Sequence, residues 1–242
     1  MTDIKAAATV LATGGFADNG EMVMEHLPAW ANHAQLVHGC IGEGHKMAEA
    51  AGAQMFGMDS SFERCNLMGD IPNCTTWGYW TPVVLVLPNG KRFIEEAQSH
   101  DAAQAAVDAG YRQWWSIFDQ RAFEARAIAH SVEGNIKSHE DVYVKADTLE
   151  DLAAGMDVPA DNLKATFARY DELVAGGEDT DFGKKAWLES LQPPYHALKL
   201  NVSRYKTSGG VMVGPNNQVL DTSDAEIPGL YAAGGGSPGH FL

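Results

Sequence analysis

The apolar positions of this chain change their period several times. Ala8–Thr13 (ATVLAT) is an unbroken apolar run that stops at Gly14-Gly15. It predicts a short strand buried on both faces, with partners on either side. GEGHKMAEAAGAQ, Gly42–Gln54, places Met47, Ala48 and Ala51 at helical spacing, with Gly52 to close the helix and Gly42 and Gly44 around Glu43 at its start. From Asp59 to Thr81 regular spacing disappears, and Asn, Cys and Trp accumulate. PVVLVLPNGKRF, Pro82–Phe93, predicts a strand, a turn at Asn89-Gly90 and a returning strand. Helical patterns follow from Asp101, from Asp119 and from Thr148. Another covers Ala160–Gly177, where Leu163, Phe167, Tyr170 and Leu173 form one apolar stripe. Pro193–Val202 and Gly209–Asp221 are extended, the second as a hairpin turned at Asn216-Asn217. A last apolar strand, Leu230–Ala233, runs into three glycines.

Strand and glycine-led helix, then a helical middle, then strands again: this order predicts a sheet domain interrupted by an inserted one. The chain has 242 residues, enough for one large domain or two small ones. The formal net charge of −15, with no stretch that gathers Lys and Arg, argues against a nucleic-acid partner. Cys40, Cys65 and Cys74 are odd in number and lack CxxC spacing, so they predict reduced, mostly buried thiols rather than disulfides or zinc ligands. The nine histidines are scattered, without HExxH or GxSxG, and no metal site is expected. No apolar run reaches the ~18 residues of a membrane span, and the start lacks a secretory signal, so a cytoplasmic protein is expected.

Several stretches, in this order along the chain, carry a resemblance: VLATGGF from Val10, GEGHKMAEAAGA from Gly42, NGKRFIEE from Asn89 with SHD from Ser99, and LVAGGEDTDFGK from Leu173. PPYHALKLNV from Pro193, SGGVMV from Ser208, and QVLD with IPGLYAAG near the end continue it. The chain resembles the FAD-dependent fumarate reductase and succinate dehydrogenase flavoproteins, especially the soluble bacterial ones. The resemblance implies an α/β fold: a partial Rossmann-like flavin domain, residues 1–57 and 207–242, interrupted by an α+β capping domain over residues 58–206. It implies FAD as cofactor, a small-molecule substrate and an electron donor of unspecified kind. In the family a G-x-G-x-x-G segment precedes the ATGG strand, and a longer glycine-rich loop and helix follow IPGLYAAG. Measured against that pattern, the chain is expected to be a middle portion. Two functions then compete: an FAD-dependent reductase or dehydrogenase of an activated C=C bond, or a non-catalytic fragment that needs a complementing chain.

The candidate residues each have a plain reading beside the one the family implies. Thr13, Gly14 and Gly15 end a strand, or lie beside the cofactor. Glu43 is a helix N-terminal acid, or replaces the family's flavin-holding aspartate. Gly209 and Gly210 belong to the SGG stretch beside the flavin. Gly234 and Gly235 are either a tail or the late loop that passes the flavin, with Gly235 where the family has an acidic ligand. His100 replaces the family's proton-delivering arginine; it is either the proton donor, with a reference pKa near ~6.5, or the surface start of a helix. Tyr205 and Lys206 stand where fumarate reductases carry a paired histidine. Lys206 is either a point charge for a carboxylate or a solvated side chain. The histidine and glutamate expected upstream of the hairpin have no match, and Trp77, Tyr79 and Trp80 fill that stretch as a pocket wall or as core. These departures argue that the substrate is not fumarate.

Overall fold

The computed structural model describes residues 4–31, 33–35, 38–67, 82–96, 102–124 and 142–237. Side chains at Ala34, residues 61–67 and Tyr205 lie outside that description. The chain divides into two compact units, Met1–Glu63 with Ser203–Leu242, and Arg64–Val202.

The first unit opens with β1 (Thr9–Leu11), followed by α1 (Gly20–His26), β2 (Ala34–Gln35), α2 (Glu43–Ala50) and β3 (Met55–Phe56). Helix α1 starts where it does because the Asn19 carboxamide accepts from Glu21 N at 3.1 Å and Met22 N at 3.2 Å, satisfying two of the free amides of the first turn. Helix α2 is capped by Gly42 in the left-handed region, with φ of 77°, and has no side-chain cap. Its buried face is Gly44, His45 and Ala48. Met47, assigned to the apolar stripe from its spacing, is 54% exposed, and Ala51 is exposed too. Small residues, not the methionine, let this helix approach the sheet.

β4 (Ser61–Leu67) corrects the expectation of irregular chain from Asp59; the aromatic residues Trp77, Tyr79 and Trp80 lie outside the described residues. The second unit holds β5 (Val84–Val86), α3 (Ala102–Asp108), β6 (Gln113–Asp119), α4 (Gln120–Glu124), β7 (Tyr143–Ala146), α5 (Leu149–Met156) and α6 (Ala160–Gly176). β8 (Tyr195–Thr207) follows, and the chain leaves this unit within it. The strand order is β5-β6-β8-β7, antiparallel throughout, with Val84 opposite Ile117 and Trp115 opposite Lys199. The pattern at Asn89-Gly90 is a tight return with Gly90 at φ of 76°, closed by Leu87 N to Lys91 O at 3.0 Å. It contributes a single bridge, Val86 to Arg92, rather than a full returning strand. The helix expected from Asp119 begins at Gln120 and is described to Glu124.

One face of this sheet, Val84, Val86, Trp115, Ile117 and Ala197, packs on Leu152, Met156, Leu163, Phe167 and Tyr170 of α5 and α6. Each such large side chain contributes roughly 1.5–3 kcal/mol by leaving water. α5 is capped by Thr148, whose hydroxyl accepts from Asp151 N at 3.1 Å, and α6 ends at Gly177 with φ of 73°.

The return to the first unit adds β9 (Gly210–Val211), β10 (Gln218–Leu220) and β11 (Glu226–Ala232). The hairpin turn falls at Asn217, φ of 64°, where expected. The sheet order is β1-β11-β10, with β1 parallel to β11 in the register Thr9 to Leu230 and Leu11 to Ala232. Among the described residues β1 is therefore an edge strand with Val10 61% exposed, not the central strand its apolar run predicts. Ala48, Ala53, Val211, Val213, Val219 and Ala232 form this unit's core. No helix among the described residues is long and apolar enough to cross a membrane.

Candidate cofactor site

The parallel pair β1 and β11 point the same way, and the loops leaving their carboxyl ends lie together. This is where open α/β sheets place ligands. Ala233 N donates to Leu11 O at 3.0 Å, holding the two strand ends level. Two further loops join them. Gly42 N reaches Gly15 O at 3.2 Å from the start of α2, and Val211 N reaches Gly236 O at 2.8 Å from the turn after β8. Phe16 N donates to the buried Thr207 hydroxyl at 3.0 Å. Four loops thus meet, and all belong to the first unit.

Close approach explains the glycines here. A Cβ on Gly210 would overlap the Gly236 carbonyl and sit 3.1 Å from the His45 ring, and a Cβ on Gly236 would lie 2.8 Å from Gly14 O. Any larger residue at Gly210 would force the loops apart.

His45 stands at the centre. It is 1% exposed, and its ring meets Phe16 edge-to-face at 5.5 Å. Nε2 lies 3.3 Å from Gly209 O. A carbonyl oxygen only accepts, so the proton is on Nε2 and Nδ1 keeps its lone pair. Burial lowers the His45 pKa from its ordinary value, against the raising effects of the Gly209 carbonyl and Glu49, while His26 adds to the lowering. The imidazole is therefore neutral at neutral pH. Nδ1 and the hydroxyl of buried Ser237 are both enclosed, and neither makes a hydrogen bond among the described residues.

The residues singled out in the sequence distribute as follows. Thr13, Gly14 and Gly15 lie just after β1: Thr13 is exposed, its hydroxyl against Gly44, while Gly14 has φ of 73° and Gly15 is buried. Glu43 is the exposed first residue of α2. Gly209, in the turn after β8, and Gly210, the first residue of β9, are buried, and Gly234 and Gly235 are exposed after β11. These eight are brought to the same end of one sheet. Tyr205 and Lys206 are at the end of β8, with Lys206 exposed. His100 lies outside the described residues. Cys40 is half-buried, less enclosed than expected, and close enough to Gly14 that a Cβ there would be 3.1 Å from its sulfur. Among the described residues there is no group of three or more His, Cys, Asp and Glu side chains suited to a metal ion.

Sequence reasoning missed His45, Thr207 and Ser237. A signal for the first existed: positions 44, 45 and 48 share a helical face made of small residues and one histidine. A buried histidine without a carboxylate or metal partner is a weaker pattern than a glycine run.

The sequence profile of a family described as "FAD binding domain" matches residues 1–241. Relatives with named activities include the NADH:acrylate oxidoreductase of Vibrio harveyi, 32% identical over 237 residues that cover 93% of this chain and 23% of that protein. The vinyl phenol reductase of Lactiplantibacillus plantarum is 28% identical over 273 residues, covering 98% of this chain and 55% of that protein. The solved structure of the open conformation of a flavocytochrome c3 fumarate reductase superposes with a TM-score of 0.73 at 29% identity, covering 96% of this chain and 41% of that one.

The chain belongs to the FAD binding domain family. Its relatives include fumarate reductase flavoproteins, and this chain is an α/β member of that FAD-binding family, with FAD as its cofactor. The chain spans about a quarter to a half of the length of the curated relatives it matches. The site's chemistry fits such a group. It offers glycine backbone with room beside Gly234 and Gly235, where a Cβ would meet nothing within 4 Å. It also offers a neutral imidazole and a hydroxyl whose hydrogen-bonding capacity is unused.

Proposed function

We propose that this chain serves an FAD-dependent reductase of activated C=C bonds in small conjugated organic acids other than fumarate. In this reading residues 1–57 and 207–242 are the flavin-domain segments, and residues 58–206 are the capping (substrate) domain. The observation that carries it is the meeting of four glycine loops at the carboxyl ends of β1 and β11, in a chain whose relatives are named for acrylate and vinyl phenol. FAD, when bound, supplies the hydride for one carbon of the double bond.

The chain's own residues do the rest. Thr13, Gly14, Gly15 and Glu43 hold the cofactor from the β1 and α2 side, and Gly209, Gly210, Gly234 and Gly235 hold it from the other two loops. Tyr205 and Lys206 receive the substrate, Lys206 as an ammonium that neutralises a carboxylate. His100 donates a proton to the carbon next to the one that takes hydride, so that hydride and proton together saturate the bond. A histidine with a pKa near ~6.5 is well placed on the acidity scale for that transfer.

The test is anaerobic. The FAD-loaded chain is reduced chemically, and reoxidation of its visible band is followed after adding acrylate or fumarate. Acrylate restores the oxidised band, fumarate does not, and His100→Ala slows the reaction by about 10²–10⁴-fold. Reoxidation at the same rate in His100→Ala, or by fumarate alone, overturns the assignment.

A further inference from the structure

We infer that His45 is a positioning residue for the cofactor: it presents a neutral Nδ1 lone pair that accepts a hydrogen bond from an N–H or O–H donor of bound FAD. This rests on the cofactor reading above and goes beyond it, because it assigns a side chain where the glycine loops offer only backbone.

Nε2 is committed to Gly209 O at 3.3 Å, which fixes the tautomer. Nδ1 then has one role left, that of acceptor, yet it is buried and makes no hydrogen bond among the described residues. Leaving a buried polar atom unpaired costs about 1–3 kcal/mol. Such a group in a core calls for a partner or a use. The second orphan, the Ser237 hydroxyl, belongs to the loop that approaches the same ring: a Cβ on Gly236 would lie 3.7 Å from His45 Cε1.

The surroundings favour a neutral donor as the missing partner. Among the described residues, the charged or titratable groups that act on the ring are Glu49 from its own helix and His26 from α1. Phe16, Gly209, Gly210 and Gly236, which lie against the ring, carry no charge. Among the described residues a phosphate would find no lysine or arginine against this ring, whereas the hydroxyls, imide and amino group of FAD are neutral donors. Access requires the loop after β11 to shift, and Gly234 and Gly235, exposed and unhindered, permit it.

Two substitutions separate this role from a merely structural one. The Asn amide oxygen stands two bonds from Cβ, as Nδ1 does, so His45→Asn keeps the acceptor and loses the link to Gly209. The Gln amide nitrogen stands three bonds from Cβ, as Nε2 does, so His45→Gln keeps that link and loses the acceptor. Each 242-residue variant is titrated with FAD by flavin fluorescence and melted without it. His45→Asn retains FAD affinity within about threefold while its melting temperature falls. His45→Gln melts near the wild type but binds FAD about tenfold more weakly.

The same contrast seen with riboflavin or with ADP assigns the donor to that half of the cofactor. The opposite pattern, or equal effects of the two substitutions, overturns the inference and leaves the cofactor reading standing. A wild-type chain that binds no FAD overturns both.

Discussion

Two buried regions of this molecule each enclose a histidine and are finished differently. In the second unit, Arg92 donates to Glu96 at 2.7 Å through Nε and 2.9 Å through Nη2, and to Asp179 at 2.7 Å. Lys184 donates to Val83 O at 2.6 Å and stands 3.4 Å from Glu96. Asp179 also accepts from the amides of Asp181, Phe182 and Lys184. Beside the same sheet, His196 is 1% exposed like His45. Its Nδ1, though, accepts from the Tyr143 hydroxyl at 2.6 Å, its Nε2 donates to Gln120 at 3.0 Å, and Phe123 stacks on it at 4.7 Å. Every one of these groups is spoken for. At the glycine junction of the first unit, His45 Nδ1 and the Ser237 hydroxyl are buried too, yet make no hydrogen bond among the described residues. The completed networks tie segments distant in sequence, residues 92–96 to 179–184, and read as scaffold. The unfinished one lies at the carboxyl ends of parallel strands, where ligands bind.

The largest effect that tests this contrast comes from removing one partner of the buried charge cluster. Glu96→Ala leaves Arg92 and Lys184 short of a counter-charge in a core, and a loss of about 3–5 kcal/mol is expected in urea unfolding. FAD affinity at a temperature where the variant is folded stays within about threefold. A stable variant that fails to bind FAD would break the comparison, because the cluster would then serve the ligand.

Gly210→Ala pushes a methyl group into the Gly236 carbonyl, and a cost of about 1–3 kcal/mol together with weaker FAD binding is expected. Unchanged FAD affinity would separate the junction from the cofactor.

The third effect depends on pH. Burial pushes His196 down to about 4, with Lys145 adding to the lowering, whereas the unfolded chain holds a histidine near ~6.5. As pH falls below that value the unfolded chain takes up the proton first. Stability due to this group is therefore full above about 6.5 and declines until about 4, by about 1–3 kcal/mol. A His196→Gln variant loses that part of the slope in unfolding curves taken across this range; an identical slope would contradict the assignment. Smallest, Thr148→Ala removes the cap of α5 and costs about 1 kcal/mol, with no change in FAD binding.

Much of this was legible in the chain, and the reasons differ by element. α5 and α6 announced themselves through Thr148, Gly177 and a 3.6-residue stripe, since caps and amphipathic spacing are local signals. Gly14, Gly42 and Asn217 marked turns because positive φ narrows the choice of residue. β6 was not legible: QWWSIFD is buried on both faces, so it lacks alternation and could not be told from a helix by period. β4 and α1 carry equally weak signals. The eight cofactor candidates were found through glycine runs and family resemblance, and they fall together in space. His45 escaped because its significance lies in a bond it does not make, which only the assembled loops reveal.

The measurement closest to the central claim is an equilibrium titration of the 242-residue chain with FAD, followed by the visible flavin spectrum and fluorescence. Binding at one FAD per chain, with the flavin bands shifted and its fluorescence quenched, is the result this account predicts. A spectrum that remains that of free FAD at every protein concentration would contradict it, and the glycine junction would then be packing alone.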